Sequence, residues 1–219
     1  MVMKSTNSKI ILISFLMIVP SWGFSFYFYP DENFLLKILH ESEDVLYYPF
    51  VTNFLELNLK PVYDLDFSGN VESGIVAYPI FVTIILSFFW ILFGPFSIVM
   101  IQLTSVFLSL KIFYNLSIHN NLEKNSSLFI SVFLISFTFY LANLLIFFDS
   151  NFLLLIKNNL FGFYNLRFPR PVITNLFLFI YVYLSFKIFF KDEFNHKNFI
   201  LLGITSGITA HVFYFFFVI

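Results

Sequence analysis

The amino-acid sequence predicts an all-α, polytopic membrane protein with about five transmembrane helices plus surface-lying helices in its first outer loop, and three observations predict it. The 219 residues are 59% hydrophobic and 11% charged, with a mean hydropathy of +0.85, far more apolar than an average globular domain. Apolar runs of about 20 residues recur along the chain, each long enough to cross the hydrocarbon core of a bilayer. The charges lie mostly between these runs rather than within them. A net charge of -1 and the lack of a long basic run argue against a nucleic-acid partner. Cysteine is absent, which excludes disulfides and thiolate metal sites.

The first run, residues 10–29, follows Lys4 and Lys9, so the positive-inside rule predicts a cytoplasmic N-terminus. A cleaved signal peptide is the competing reading. No small-x-small cleavage site follows Pro20, where the chain continues SWGFSFYFYP, which favours a membrane anchor. Pro20 is expected to kink this helix.

Residues 30–74 form an acidic loop that holds nine of the thirteen carboxylates against only Lys37 and Lys60. Phe34, Leu35, Ile38 and Leu39 fall at helical spacing, predicting a short amphipathic helix along the membrane surface, with Asp31 and Glu32 at its positive end. A second turn begins at Glu41-Ser42-Glu43-Asp44 and must end before Pro49. On it Asp44, Tyr47 and Tyr48 are spaced i, i+3 and i+4 and so share one face.

Residues 75–219 read as a helical bundle. Residues 75–93 either cross the membrane or lie at its outer interface. The second arrangement puts seven Lys and Arg inside against five outside, and the positive-inside rule prefers it. Residues 96–116, 128–148, 172–190 and 199–219 then supply the remaining crossings, with the KDEFNHKN hairpin in the cytoplasm. Gly203 and Gly207 make a G-x-x-x-G pattern that predicts close helix packing. The final run VFYFFFVI ends without a polar anchor, which predicts that the sequence is part of a longer protein.

Glu43 and Asp44 are the leading candidates for chemistry. A carboxylate held just outside the bilayer can act as general base toward an acceptor hydroxyl. A helix start capped by Ser42 is the competing reading. Asp64 and Asp66 form a D-x-D pair that suits a divalent cation, but FSGN follows and a solvated turn fits as well, so no metal or cofactor is required. Lys157, Arg167 and Arg170 make the segment after residue 149 cationic. The two arginines in RFPRP offer planar donors for phosphate or pyrophosphate, with snorkelling to lipid headgroups as the alternative. Gln102, Asn143 and His211 lie inside apolar runs, where interhelical hydrogen bonding or packing accounts for them.

The order of these features resembles the GT-C superfamily, the membrane glycosyltransferases that use polyprenyl- or dolichyl-phosphate sugars, and in particular the N-terminal part of the glycosyltransferase family 39 type. The matching residues are the acidic pair Glu43-Asp44 in EDVLYY, AYPIF around Pro79, and LFGPFSIVMIQLTSVFLSL. The resemblance implies hexosyl or pentosyl transfer from a lipid-phosphate-linked donor on the extracytoplasmic side. Asp44 or Glu43 would be the catalytic base, with Tyr47 and Tyr48 beside the substrate. The lipid bilayer and the lipid-linked donor would be the partners. Pro79 follows Asp44 by 35 residues, a spacing that favours Asp44. A donor-phosphate contact by Arg167 and Arg170 is an inference from their chemistry and not part of the match. A non-enzymatic transporter, flippase or assembly subunit for lipid-linked glycans is the alternative, and a membrane acyltransferase using His211 a third.

Overall fold

A computed structural model describes residues 2–28, 51, 55–56, 80–144, 172–191 and 193–212. Among these residues every regular element is helical and no strand occurs. Helix α1 spans Val2–Phe28, α2 spans Ile80–Phe93, α3 Ser97–His119, α4 Lys124–Leu144, α5 Val172–Phe190 and α6 His196–Val212.

Helix α1 starts a full two turns before the apolar run and continues without interruption past Pro20. A proline removes one intrahelical hydrogen bond, and the flanking turns hold the helical assignment. Helix α2 passes into α3 through a single 3₁₀ turn, Gly94–Phe96. Gly94 has φ +54, the left-handed conformation that a residue without Cβ adopts at least cost, and Pro95 sits in the first turn that follows. These two residues end one helix and start the next with no loop between them.

Helix α3 ends in a Schellman motif. Asn121 takes the left-handed position at φ 62, its N–H donates to the Ile118 carbonyl at 2.9 Å, and the Leu122 N–H donates to the Ser117 carbonyl at 3.2 Å. Asparagine is the residue after glycine that best tolerates this conformation, so HNN at 119–121 stops the helix. Helix α6 begins with its own cap: Asn195 Oδ1 accepts from the Asn198 N–H at 2.7 Å.

Helix α3 is central, packing against α1, α2, α4 and α5, while α5 and α6 form a second hairpin and α6 also touches α2. The core runs through Ile10, Ile18, Val82, Leu86, Ile98, Val106, Leu110, Ile135 and Ile173. Val51, seven residues beyond Asp44 in sequence, is buried in the same core.

Small hydroxyl residues share these buried faces at helical spacing: Ser105 and Ser109 on α3, Ser127 and Ser131 on α4, Thr205 and Thr209 on α6, Thr83 and Ser87 on α2. Small side chains let helix backbones approach closely. Several of the hydroxyls donate to their own helix one turn back, Ser14 to Ile10, Thr205 to Leu201 and Thr209 to Thr205, each at 2.7 Å. The outward faces are apolar instead, with Leu12 and Leu16 on α1, Phe88 and Ile91 on α2, Phe129 and Phe133 on α4, and Ile200 and Ile204 on α6.

Candidate functional site

The residues that the sequence nominates for catalysis and substrate binding, Glu43, Asp44, Tyr47, Tyr48, Arg167 and Arg170, lie outside the described residues. So do Asp31, Glu32, Asp64, Asp66, Lys157 and Pro79. The polar side chains that the described helices bring together are a different set, at the end of the bundle where α3 and α5 finish.

At that end Lys187, on the last turn of α5, reaches across the turn to Glu193, with Nζ to Oε2 at 2.7 Å. Backbone geometry sets this up: the Glu193 N–H donates to the Lys187 carbonyl at 3.1 Å, closing the turn under the ion pair. Asn198, on the first turn of α6, donates from Nδ2 to the Glu193 carbonyl at 3.0 Å. The Lys187 ammonium also lies 5.7 Å from the centre of the Tyr183 ring, and that ring is 6.2 Å from the His119 ring at the end of α3. The contact between His119 and Tyr183 joins the two hairpins.

The Lys187 ammonium, hydrogen-bonded to Glu193, holds that carboxyl below its ordinary value. Desolvation is second in size and opposes this hydrogen bond, while the charges of Lys187 and His119 and a hydrogen bond from Asn198 each add a smaller lowering effect. A carboxylate so held is a poor proton acceptor near neutral pH, because its affinity for a proton has been reduced by its partner. The arrangement therefore fastens the α5–α6 turn rather than performing proton transfer. Sequence reasoning missed it because Lys187 and Glu193 are six apart, off the i+4 helical spacing, and His119 comes from another hairpin.

The bundle interior holds the other polar groups. Gln102 on α3 and Thr174 and Asn175 on α5 are buried, and none of the three is without an interaction partner. The side chains of Asn143 and His211 fall outside what the structure describes. Among the described residues, and leaving aside α6's own backbone, no atom lies within 4 Å of where a Cβ would stand on Gly203 or Gly207, so none of them makes the close approach expected at the G-x-x-x-G pattern. Among the described residues no three His, Asp or Glu side chains come together as a metal site would require.

Two helical stretches, Phe81–His119 of 39 residues and Ile173–Phe190 of 18 residues, are long and apolar enough to cross a membrane. Less than half of either stretch is buried inside the protein. No family model, curated protein or solved structure matches the chain.

Proposed function

We propose that the chain is a multi-pass membrane protein with a cytoplasmic N-terminus, forming the N-terminal part of a GT-C-like glycosyltransferase. It transfers a sugar from a lipid-phosphate-linked donor to an acceptor hydroxyl at the extracytoplasmic surface. The observation that carries the reading is the concentration of nine of thirteen carboxylates in residues 30–74, directly after the first apolar helix.

The chemistry assigns each residue a task. Asp44, or Glu43 beside it, takes the proton of the acceptor hydroxyl as its oxygen attacks the anomeric carbon. The bond from that carbon to the donor phosphate breaks, and the lipid phosphate leaves with the electron pair. Arg167 and Arg170 offset the charge that develops on this phosphate, while Tyr47 and Tyr48 border the sugar.

Five crossings are proposed, residues 10–29, α3, α4, α5 and residues 199–219. Residues 75–93 are left at the outer interface, the arrangement that the lysine and arginine count prefers. The apolar outer faces and hydroxyl-bearing interior support a lipid surround, since water reverses that preference. Buried polar groups among the described residues are all uncharged Ser, Thr, Asn and Gln, which gives a transporter no ionised path.

The test is the double variant Glu43→Gln, Asp44→Asn in the full-length protein. Sugar transfer from a radiolabelled polyprenyl-phosphate donor is expected to vanish while the protein stays in the alkali-washed membrane. Undiminished transfer would remove the site. A cysteine at position 44, in a chain with no other, should react with an impermeant maleimide from outside; protection there and labelling only from the cytosol would also remove it.

A further inference from the structure

We propose that the end of the bundle made by the 120–123 and 191–195 turns binds the anionic headgroups of a lipid leaflet. The inference rests on the membrane reading above but not on glycosyl transfer. The two turns are held at one end by the contact between His119 and Tyr183 and by the Lys187–Glu193 pair. That pair cancels its own charges. Left over are Lys124 on the first turn of α4, Lys191 after α5 and Lys197 on α6, all exposed, against the exposed Glu123 and, in sequence, Asp192.

Large aromatic rings stand among these lysines. Phe190 is 76% exposed, Phe189 62% and Phe194 61%. Lys191 Nζ lies over the Phe186 ring, 5.7 Å from its centre, so the ammonium of this exposed lysine sits against an aromatic face at the same end. An amphiphilic patch of this kind fits a partner that is anionic at one level and apolar directly beneath it. A lipid leaflet has that layering. A nucleic acid or an acidic peptide would meet the lysines and leave three phenylalanines in water.

Lysines near an anionic leaflet each favour association by about fivefold, and the effect fades over a Debye length. The full chain, with a fluorophore on Asn125→Cys as its single thiol, is reconstituted in phosphatidylcholine vesicles. These carry a trace of labelled phosphatidylglycerol or, in a parallel arm, labelled phosphatidylcholine. Energy transfer is expected to report phosphatidylglycerol enriched about fivefold or more at low salt. The enrichment should fall as salt rises and be lost in the Lys124→Gln, Lys191→Gln, Lys197→Gln variant, whose exposed positions leave the core untouched. Equal transfer from both lipids, or enrichment unchanged in the triple variant, overturns the inference. So does displacement of the lipid by inorganic phosphate beyond what chloride at the same ionic strength achieves, which would mark a free-phosphate site. Release of the unsubstituted chain by alkaline carbonate would overturn the membrane reading with it, whereas equal transfer in a carbonate-resistant chain overturns the inference alone.

Discussion

Replacing Ser109 with alanine should stabilise the bundle even though it removes a hydrogen-bonding group. Ser109 sits on the central helix α3 with no exposed surface, and among the described residues its Oγ has no hydrogen-bond partner, a condition it shares with Ser87 and Ser97. A hydroxyl buried without a partner costs about 1–3 kcal/mol by the protein mutational scale. Alanine keeps the Cβ, deletes one oxygen and leaves too small a space to act as a cavity. The gain is about 1–2 kcal/mol, or roughly 2–8 °C in unfolding midpoint for a chain of this length. Ser131 is the control: it is equally buried, but its Oγ donates to the Ser127 carbonyl at 2.5 Å. Ser131→Ala removes a formed bond and should lose about 0.5–1.5 kcal/mol. Ser109→Leu tests the packing of the same site, where added methylenes should cost about 1–3 kcal/mol. Thermal unfolding in a mild detergent, followed by far-ultraviolet circular dichroism, reads all three. The reasoning fails if Ser109→Ala lowers the midpoint as far as Ser131→Ala does, or if Ser109→Leu leaves it unchanged.

Acid should loosen the α5–α6 turn. The folded-state carboxyl of Glu193 lies below its ordinary value, so its stabilising contribution is full above the unfolded carboxylate value of about 4.3 and disappears as pH falls through the lower folded value. Unfolding midpoints taken from neutral pH downward should therefore drop more in the parent chain than in Glu193→Gln, and parallel profiles would contradict the assignment. Left-handed backbone makes a further prediction: Gly94→Ala, at φ +54 with open space around it, and Asn121→Val, at φ 62, should each lose about 1–2 kcal/mol, while Asn121→Gly should be close to neutral. A destabilised Asn121→Gly would mean that the asparagine side chain, rather than the backbone, ends α3.

The helices were largely legible in the sequence because apolar length and punctuation agree. Residues 172–190 were expected as one helix and α5 spans Val172–Phe190, an apolar run that the polar KDEFN segment closes. Where punctuation is weak, the expectation was short. Helix α4 begins at Lys124 rather than at residue 128 because KNSS, though polar, has no residue that opposes helix and buries Ser127. The same holds for α1, where KSTNSK extends the helix ahead of the apolar run. The Gly94-Pro95 dipeptide marked a break, and the structure contains it in one 3₁₀ turn. The ion pair at Lys187 was not legible because its six-residue spacing spans a turn rather than one helix face, and the His119–Tyr183 contact was not legible because it depends on how two hairpins meet in space. The acidic pair Glu43-Asp44 and the arginines Arg167 and Arg170 rest on sequence chemistry alone, since they lie outside the described residues.

The inward return of the hydroxyls has a mechanical consequence. Ser14, Ser131, Thr205 and Thr209 each satisfy themselves within their own helix, so no directional bond of theirs spans a helix–helix seam. Sliding or rolling one rod past its neighbour would break none of these bonds. Such seams act as bearings more than as welds, and a rod can shift by a fraction of a turn while its internal ladder stays intact.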